Sequence, residues 1–339
     1  MGKRRDQLNY LRKLTPARFW NGIQVVSSYY WSRAVGKPVQ WGLPLSVAVE
    51  PTTACNLGCP ECPSGLRQFT RATGNLKQDR FKDILKQLAP RTSYMTFYFQ
   101  GEPYINPDFL TMVKAAHDKK IYTSTSTNAH FLSKAAALRT VESGLDRLII
   151  SIDGTTQEVY EQYRVNGSLE KVLAGTRAII EAKKELKSAT PHVIFQFLVV
   201  KPNEHQIADV EKLGAEMGVD EVRFKTAQMY DYENGNPLIP TLDEYSRYRL
   251  EKDGRYTVKN KLVNRCWRLW SSCVITWDGL VVPCCFDKDA SHKLGDLKEE
   301  SFTEIWQNEG YKHFRKALLK GRDQIDICTN CSEGTKVWA

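Results

Sequence analysis

From Ser46 to Lys225, short β-branched or aromatic runs alternate with longer stretches whose apolar residues recur every three or four positions, and this alternation constrains the fold most. The strand candidates are Ser46–Val49, Tyr94–Phe99, Ile121–Thr125, Arg147–Ile152, His192–Val199 and Glu221–Lys225. The intervening helix candidates are Gln78–Leu88, Pro107–Asp118, Ser133–Glu142, Leu169–Leu186 and Glu204–Met217. Such strand–helix repeats build a parallel sheet, because a parallel connection needs a crossover long enough to return the chain to the same edge. Six units, short of the eight of a closed barrel, fit either a partial barrel or an open wound sheet.

The period breaks after Lys225. Residues 231–240 are turn formers, Asp243–Leu250 reads as one more short helix, and six of the nine cysteines fall within residues 266–331. A helix near Ser301–Lys320 opens with Ser301 and Glu304 at capping-box spacing. The net charge of +9 over 339 residues is uneven. Residues 1–41 hold eight basic side chains against the single Asp6, so the rest of the chain is close to neutral, and a nucleic-acid partner is disfavoured. An odd cysteine count and the lack of a signal-like apolar run predict reduced thiols and a cytoplasmic protein. No run approaches the ~20 apolar residues of a membrane span.

Cys55, Cys59 and Cys62 form a C-x3-C-x2-C cluster directly after the first strand candidate. In parallel α/β folds that position is the functional edge of the sheet. Three thiolates on one short loop converge on a soft metal centre and leave a coordination position open. A zinc site completed by a remote ligand is the plainer alternative, although structural zinc favours paired C-x2-C.

The run from Glu50 to Cys62 closely resembles the signature loop of radical S-adenosylmethionine (radical SAM) enzymes. The resemblance implies a partial (β/α)6 TIM-like barrel in which Cys55, Cys59 and Cys62 hold a [4Fe–4S] cluster with one iron free for SAM. Reductive cleavage of SAM then yields a 5′-deoxyadenosyl radical that abstracts hydrogen from a substrate. It implies SAM contacts at Gly101 and Glu102 in Gly-Glu-Pro, at Asn128 in Ser-Thr-Asn, at Ser151 and Asp153 in Ser-Ile-Asp-Gly, at Arg164, and more weakly at Gln196. An arginine suits a SAM carboxylate because its fork makes two parallel bonds. A low-potential electron donor of the flavodoxin or ferredoxin type is the implied redox partner.

Farther along, Cys266 is followed by Gly279, Cys284 and the Cys328-x2-Cys331 pair. Alone, this pattern also suits a four-cysteine zinc ribbon. With the first cluster, it resembles a shortened SPASM domain, the auxiliary-cluster domain of many peptide-modifying radical SAM enzymes. A full SPASM domain has a central cysteine run that is missing here, so the resemblance implies a single auxiliary [4Fe–4S] cluster on Cys266, Cys284, Cys328 and Cys331. Cys273 and Cys285 are left over, Cys273 fitting a small buried hydrophobe.

The implied organisation is a basic amphipathic segment (1–45), a radical SAM partial barrel (46–255) and a SPASM-like domain (256–339). The implied activity is modification of a peptide or protein side chain. The alternatives are a radical SAM dehydrogenase, epimerase or rearrangement enzyme acting on a small molecule, sugar or lipid, and a non-catalytic zinc or iron–sulfur protein. In residues 16–34, Phe19, Ile23, Val26, Tyr30 and Ala34 share one helical face. That face fits either peripheral contact with the inner surface of a membrane or packing on the barrel.

Overall fold

The computed structural model describes residues 2–337; Met1, Trp338 and Ala339 lie outside the described residues. Strands β1 (Ser46–Val49), β2 (Tyr94–Thr96), β3 (Tyr122–Thr127), β4 (Arg147–Ser151), β5 (His192–Val199) and β6 (Glu221–Thr226) pair in parallel, in chain order. Helices Gln78–Leu88, Phe109–Asp118, Lys134–Glu142, Leu169–Glu185 and Ile207–Met217 fall where the apolar periodicity places them. They cover the outer face of the sheet, where Phe195, Phe197, Val222 and Phe224 join the core. Because side chains alternate across a strand, the intervening positions face the lumen. Ser151, Gln196 and Arg223 are in register across β4, β5 and β6, so this inner face is polar.

The helix expected over Asp243–Leu250 does not form. A single 3-10 turn, Asp243–Tyr245, leads into a hairpin of β7 (Tyr248–Leu250) and β8 (Tyr256–Val258). The local turn chemistry explains this: Gly254 takes φ +83°, and Asp253 accepts a hydrogen bond from the backbone N–H of Arg255 at 3.1 Å. The expected helix over Ser301–Lys320 is two helices, Phe302–Gln307 and Glu309–Lys320. Asn308 separates them by capping the second through a bond from the Tyr311 N–H, while the Ser301–Glu304 capping box starts the first.

The cysteine-rich C-terminal region continues the barrel sheet. Strand β9 (Ser272–Ile275) pairs in parallel with the free side of β1, and β10 (Leu280–Val282) and β11 (Gly295–Asp296) follow in antiparallel order. The nine-stranded sheet runs β11-β10-β9-β1-β2-β3-β4-β5-β6 and stays open, with edges at β11 and β6. The two cysteine groups are therefore linked through adjacent strands.

The basic N-terminal residues are built into the fold. Helix α1 (Gly2–Arg12) crosses the end of the barrel where the strands begin. Asp6 accepts bonds from the Tyr122 hydroxyl and from Arg147, Asn9 donates to Asp146 at 2.8 Å, and Tyr10 meets Ser93 at 2.9 Å. Asp6→Ala leaves the half-buried Arg147 charge without its carboxylate, so it should cost about 3 kcal/mol. Urea melts of Asp6→Ala and Asp6→Asn check this: the asparagine variant keeps an acceptor and should lose less.

Helix α2 (Pro16–Val35) starts at Thr15, whose side chain accepts from Arg18 N–H, and ends at Gly36 in the left-handed region. It packs on the barrel through Arg18, Asn21, Val25, Ser28, Tyr29 and Ser32. Of the two arrangements open to the face containing Phe19, Ile23 and Tyr30, packing on the barrel is not the one adopted: these three side chains are turned to solvent.

Candidate active site

The loop after β1 carries Cys55, Cys59 and Cys62 into a cavity of about 240 Å3 at the ends of the strands. Backbone bonds hold the loop: Gly58 N–H donates to Val165 O at 2.9 Å, and Leu66 N–H to Cys62 O at 2.8 Å. Gly65 is required here, because a Cβ would lie 2.6 Å from the Cys59 backbone. Burial pushes the Cys55 thiol up to about 11 and also raises Cys59. Thiols so desolvated ionise when a soft metal centre compensates their charge.

Five of the seven residues that the resemblance assigns to SAM converge on this cavity. Gly101, Glu102, Asn128, Ser151 and Arg164 line it together with the three cysteines. Gly101 adopts φ +73°, and a Cβ there would meet Thr52 O at 2.4 Å, so only glycine fits. Glu102 accepts from Thr127 Oγ1 at 2.8 Å and from Asn128 N–H at 2.7 Å, pinning the ends of β2 and β3 together. Burial raises its carboxyl to about 7 against these bonds, which favour the ionised form. Asn128 Nδ2 donates to Asn56 Oδ1 at 2.8 Å and points at Cys55 Sγ from 4.0 Å.

Arg164 Nη1 lies 3.8 Å from Cys59 Sγ while its Nε is paired to Asp153. Burial opposes the Arg164 charge, but Asp153 and Cys59 together hold it firmly protonated. Asp153 does not line the cavity. Fully buried, it accepts Leu198 N–H at 2.7 Å and grips Arg164, so it aims that side chain. Gln196 is also absent from the cavity lining and sits in the lumen beside Ser151. Tyr98, Tyr163 and Leu198 also line the wall, and sequence reasoning assigned them no role. For Tyr98 the signal was its period-two spacing after Tyr94 and Thr96, which places all three on the lumen face.

At the second group, Cys266, Cys284, Cys328 and Cys331 lie close enough to perturb one another's ionisation. Buried Arg322 binds them into the fold, with Nη2 3.1 Å from Cys331 Sγ and Nη1 3.1 Å from Arg265 O. Gly334, at φ +76°, passes so close to Cys266 that a Cβ would lie 2.4 Å from its sulfur. Cys273 is buried in β9 beside Tyr311, as its spacing predicts. Cys285 is exposed, with Arg268 Nη1 3.7 Å from its sulfur.

The donor chemistry at both places is all thiol, and the first group adjoins an open cavity with a fixed guanidinium, which fits a cluster with a free site for a carboxylate ligand. Among the described residues no three His, Cys, Asp or Glu side chains are gathered as ligands of one metal ion.

A radical SAM superfamily profile matches residues 49–214, and the SPASM iron–sulfur cluster-binding domain matches residues 266–332. The chain is 25% identical over 319 residues to the tungsten-containing aldehyde ferredoxin oxidoreductase cofactor-modifying protein of Pyrococcus furiosus, covering 84% of this chain and 86% of that one. It is 26% identical over 302 residues to the PqqA peptide cyclase of Bradyrhizobium diazoefficiens, covering 81% and 76%. Its fold matches Streptococcus suis SuiB, solved with S-adenosylmethionine, at TM-score 0.62 and 14% identity over 86% of this chain and 73% of SuiB. A second SuiB structure holds the precursor peptide SuiA. With a cysteine loop and cavity at one end of its parallel strands and a thiol-rich extension on the same sheet, the chain belongs to the radical SAM superfamily and carries a SPASM-type iron–sulfur domain.

Proposed function

We propose that this radical SAM enzyme modifies a side chain of a peptide or protein, using Cys55, Cys59 and Cys62 to hold the SAM-cleaving [4Fe–4S] cluster. The observation that carries this reading is the convergence of three cysteines, Glu102, Asn128, Ser151 and the clamped Arg164 on one open cavity. When bound, the cluster supplies the electron that cleaves SAM, drawn from a low-potential donor.

The residues of the chain divide the binding work. Arg164, held in place by Asp153, would pair with the SAM carboxylate through its guanidinium. Glu102, held near 7 by burial, ionises fully when the SAM ammonium is seated beside it. Asn128 and Ser151 offer neutral polar groups along the rest of the molecule. Cys266, Cys284, Cys328 and Cys331 would hold one auxiliary cluster in the C-terminal region, where it takes the substrate electron after hydrogen abstraction or supports the substrate pocket.

The peptide reading draws on the PqqA peptide cyclase and on SuiB with its precursor peptide. The competing small-molecule reading is separated by deuterium transfer. Reconstituted enzyme given perdeuterated candidate peptides should deliver deuterium into 5′-deoxyadenosine, read by mass spectrometry. Transfer from deuterated sugars or lipids, with none from peptides, would contradict the peptide reading.

A further inference from the structure

We propose that the outward face of α2 docks the protein on an anionic lipid surface. Its barrel side buries Val25 and Tyr29 among the polar Arg18, Asn21, Ser28 and Ser32, and specific bonds lock that orientation. Asn21 Nδ2 donates to Leu43 O at 2.8 Å, and Arg18 donates to Ala89 O at 2.9 Å and to Lys119 O at 2.7 Å. Ser32 Oγ donates to Val39 O at 2.9 Å and accepts from the Trp270 indole at 3.2 Å. Rolling the helix to bury its aromatic side would break all of these.

The solvent side carries Phe19 (63% exposed), Trp20 (57%), Ile23, Tyr30 and Trp31 (53%). At about 100° per residue these five fall within a stripe of roughly 120°. An exposed apolar stripe on a helix so firmly oriented marks an interaction surface.

Charge identifies the occupant. Residues 7–49 contain no Asp or Glu, and Arg33 and Lys37 are exposed at and just beyond the C-terminal end of α2. The Arg33 guanidinium lies over the Tyr29 and Tyr30 rings at 5.5 and 5.8 Å. A second copy of the same face would bring like charges together. Anionic headgroups neutralise the bases, while Trp and Tyr rings settle at headgroup depth with Phe19 and Ile23 beneath them. No helix among the described residues is long and apolar enough to cross a membrane, so the contact is peripheral. The Arg18 acceptors, Ala89 and Lys119, shortly precede β2 and β3, so the face lies where the strands begin. The cysteine cavity opens at the strand ends, and docking leaves it free for a dissolved substrate.

The test is flotation of the reconstituted full chain with vesicles of phosphatidylcholine alone or mixed with phosphatidylglycerol. Binding should be at least about 10-fold stronger to the anionic vesicles and should fall in high salt. The variant combining Phe19→Ser, Trp20→Ser, Tyr30→Ser and Trp31→Ser should lose binding while keeping its melting temperature, because those side chains are already in water. Arg33→Gln with Lys37→Gln should erase the preference for anionic lipid. Formation of 5′-deoxyadenosine should be unchanged in both variants, which separates this surface from the chemistry. Equal binding to neutral and anionic vesicles, no binding to either, or full binding by the serine variant would overturn the proposal. So would a wild-type dimer that the serine variant splits into monomers, which would assign the face to a second copy.

Discussion

Replacing Cys59 with alanine should abolish 5′-deoxyadenosine formation while the C-terminal thiols keep their iron. Cys59 is one of three thiols on the loop after β1, the most enclosed of them, and it faces Arg164 directly. Two thiols do not hold a cluster that must also present a free iron. The second group draws its thiols from three other segments, tied by Arg322 and Gly334. The variant should therefore retain about half the wild-type iron, roughly four atoms, and an iron–sulfur absorption band. Loss of all iron would show that the two sites are not independent. Retained SAM cleavage would show that Cys59 is not a cluster ligand.

The second large effect is expected at Arg164. Among the described residues Arg164 is the only guanidinium in the wall of the cavity, and a charge-assisted pair is worth about 1.5–3 kcal/mol, so Arg164→Gln should lower SAM affinity roughly 10- to 100-fold. Asp153→Asn should reproduce part of that loss, because the asparagine keeps the shape but releases the grip on Arg164. Asp153 is a positioning residue and does not line the cavity, so its variant should raise the KM for SAM more than it lowers kcat. Arg164→Lys, which keeps the charge and loses the fork, should fall between wild type and Arg164→Gln. An unchanged KM in Arg164→Gln would place the SAM carboxylate elsewhere.

Much of this site was legible before any coordinates because its parts are local. The C-x3-C-x2-C loop, the Gly-Glu-Pro turn and the Ser-Ile-Asp-Gly segment each follow a strand, and a parallel sheet brings the ends of its strands to one edge. The strands themselves were legible for the same reason: burial on both faces leaves near-continuous apolar runs, as in Arg147–Ser151. What stayed hidden depends on distant partners. Asp153 reads in sequence as one more SAM contact, and only its bonds to Leu198 and Arg164 give it a supporting role. The continuity of β9 with β1 joins residues more than two hundred positions apart, and no local pattern announces it. The orientation of α2 was left open by periodicity and is decided by Arg18 and Asn21, which find carbonyl partners on the barrel that the apolar stripe cannot use. Asp243–Leu250 failed for a simpler reason, as the Asp253–Gly254 turn folds that segment back into a hairpin.

The most direct measurement is SAM cleavage by the wild-type chain after anaerobic reconstitution with iron and sulfide. With SAM and dithionite, protein holding about eight iron atoms per chain should release 5′-deoxyadenosine and methionine in equal amounts. Fully loaded protein that releases neither would contradict radical SAM chemistry at the Cys55–Cys59–Cys62 loop.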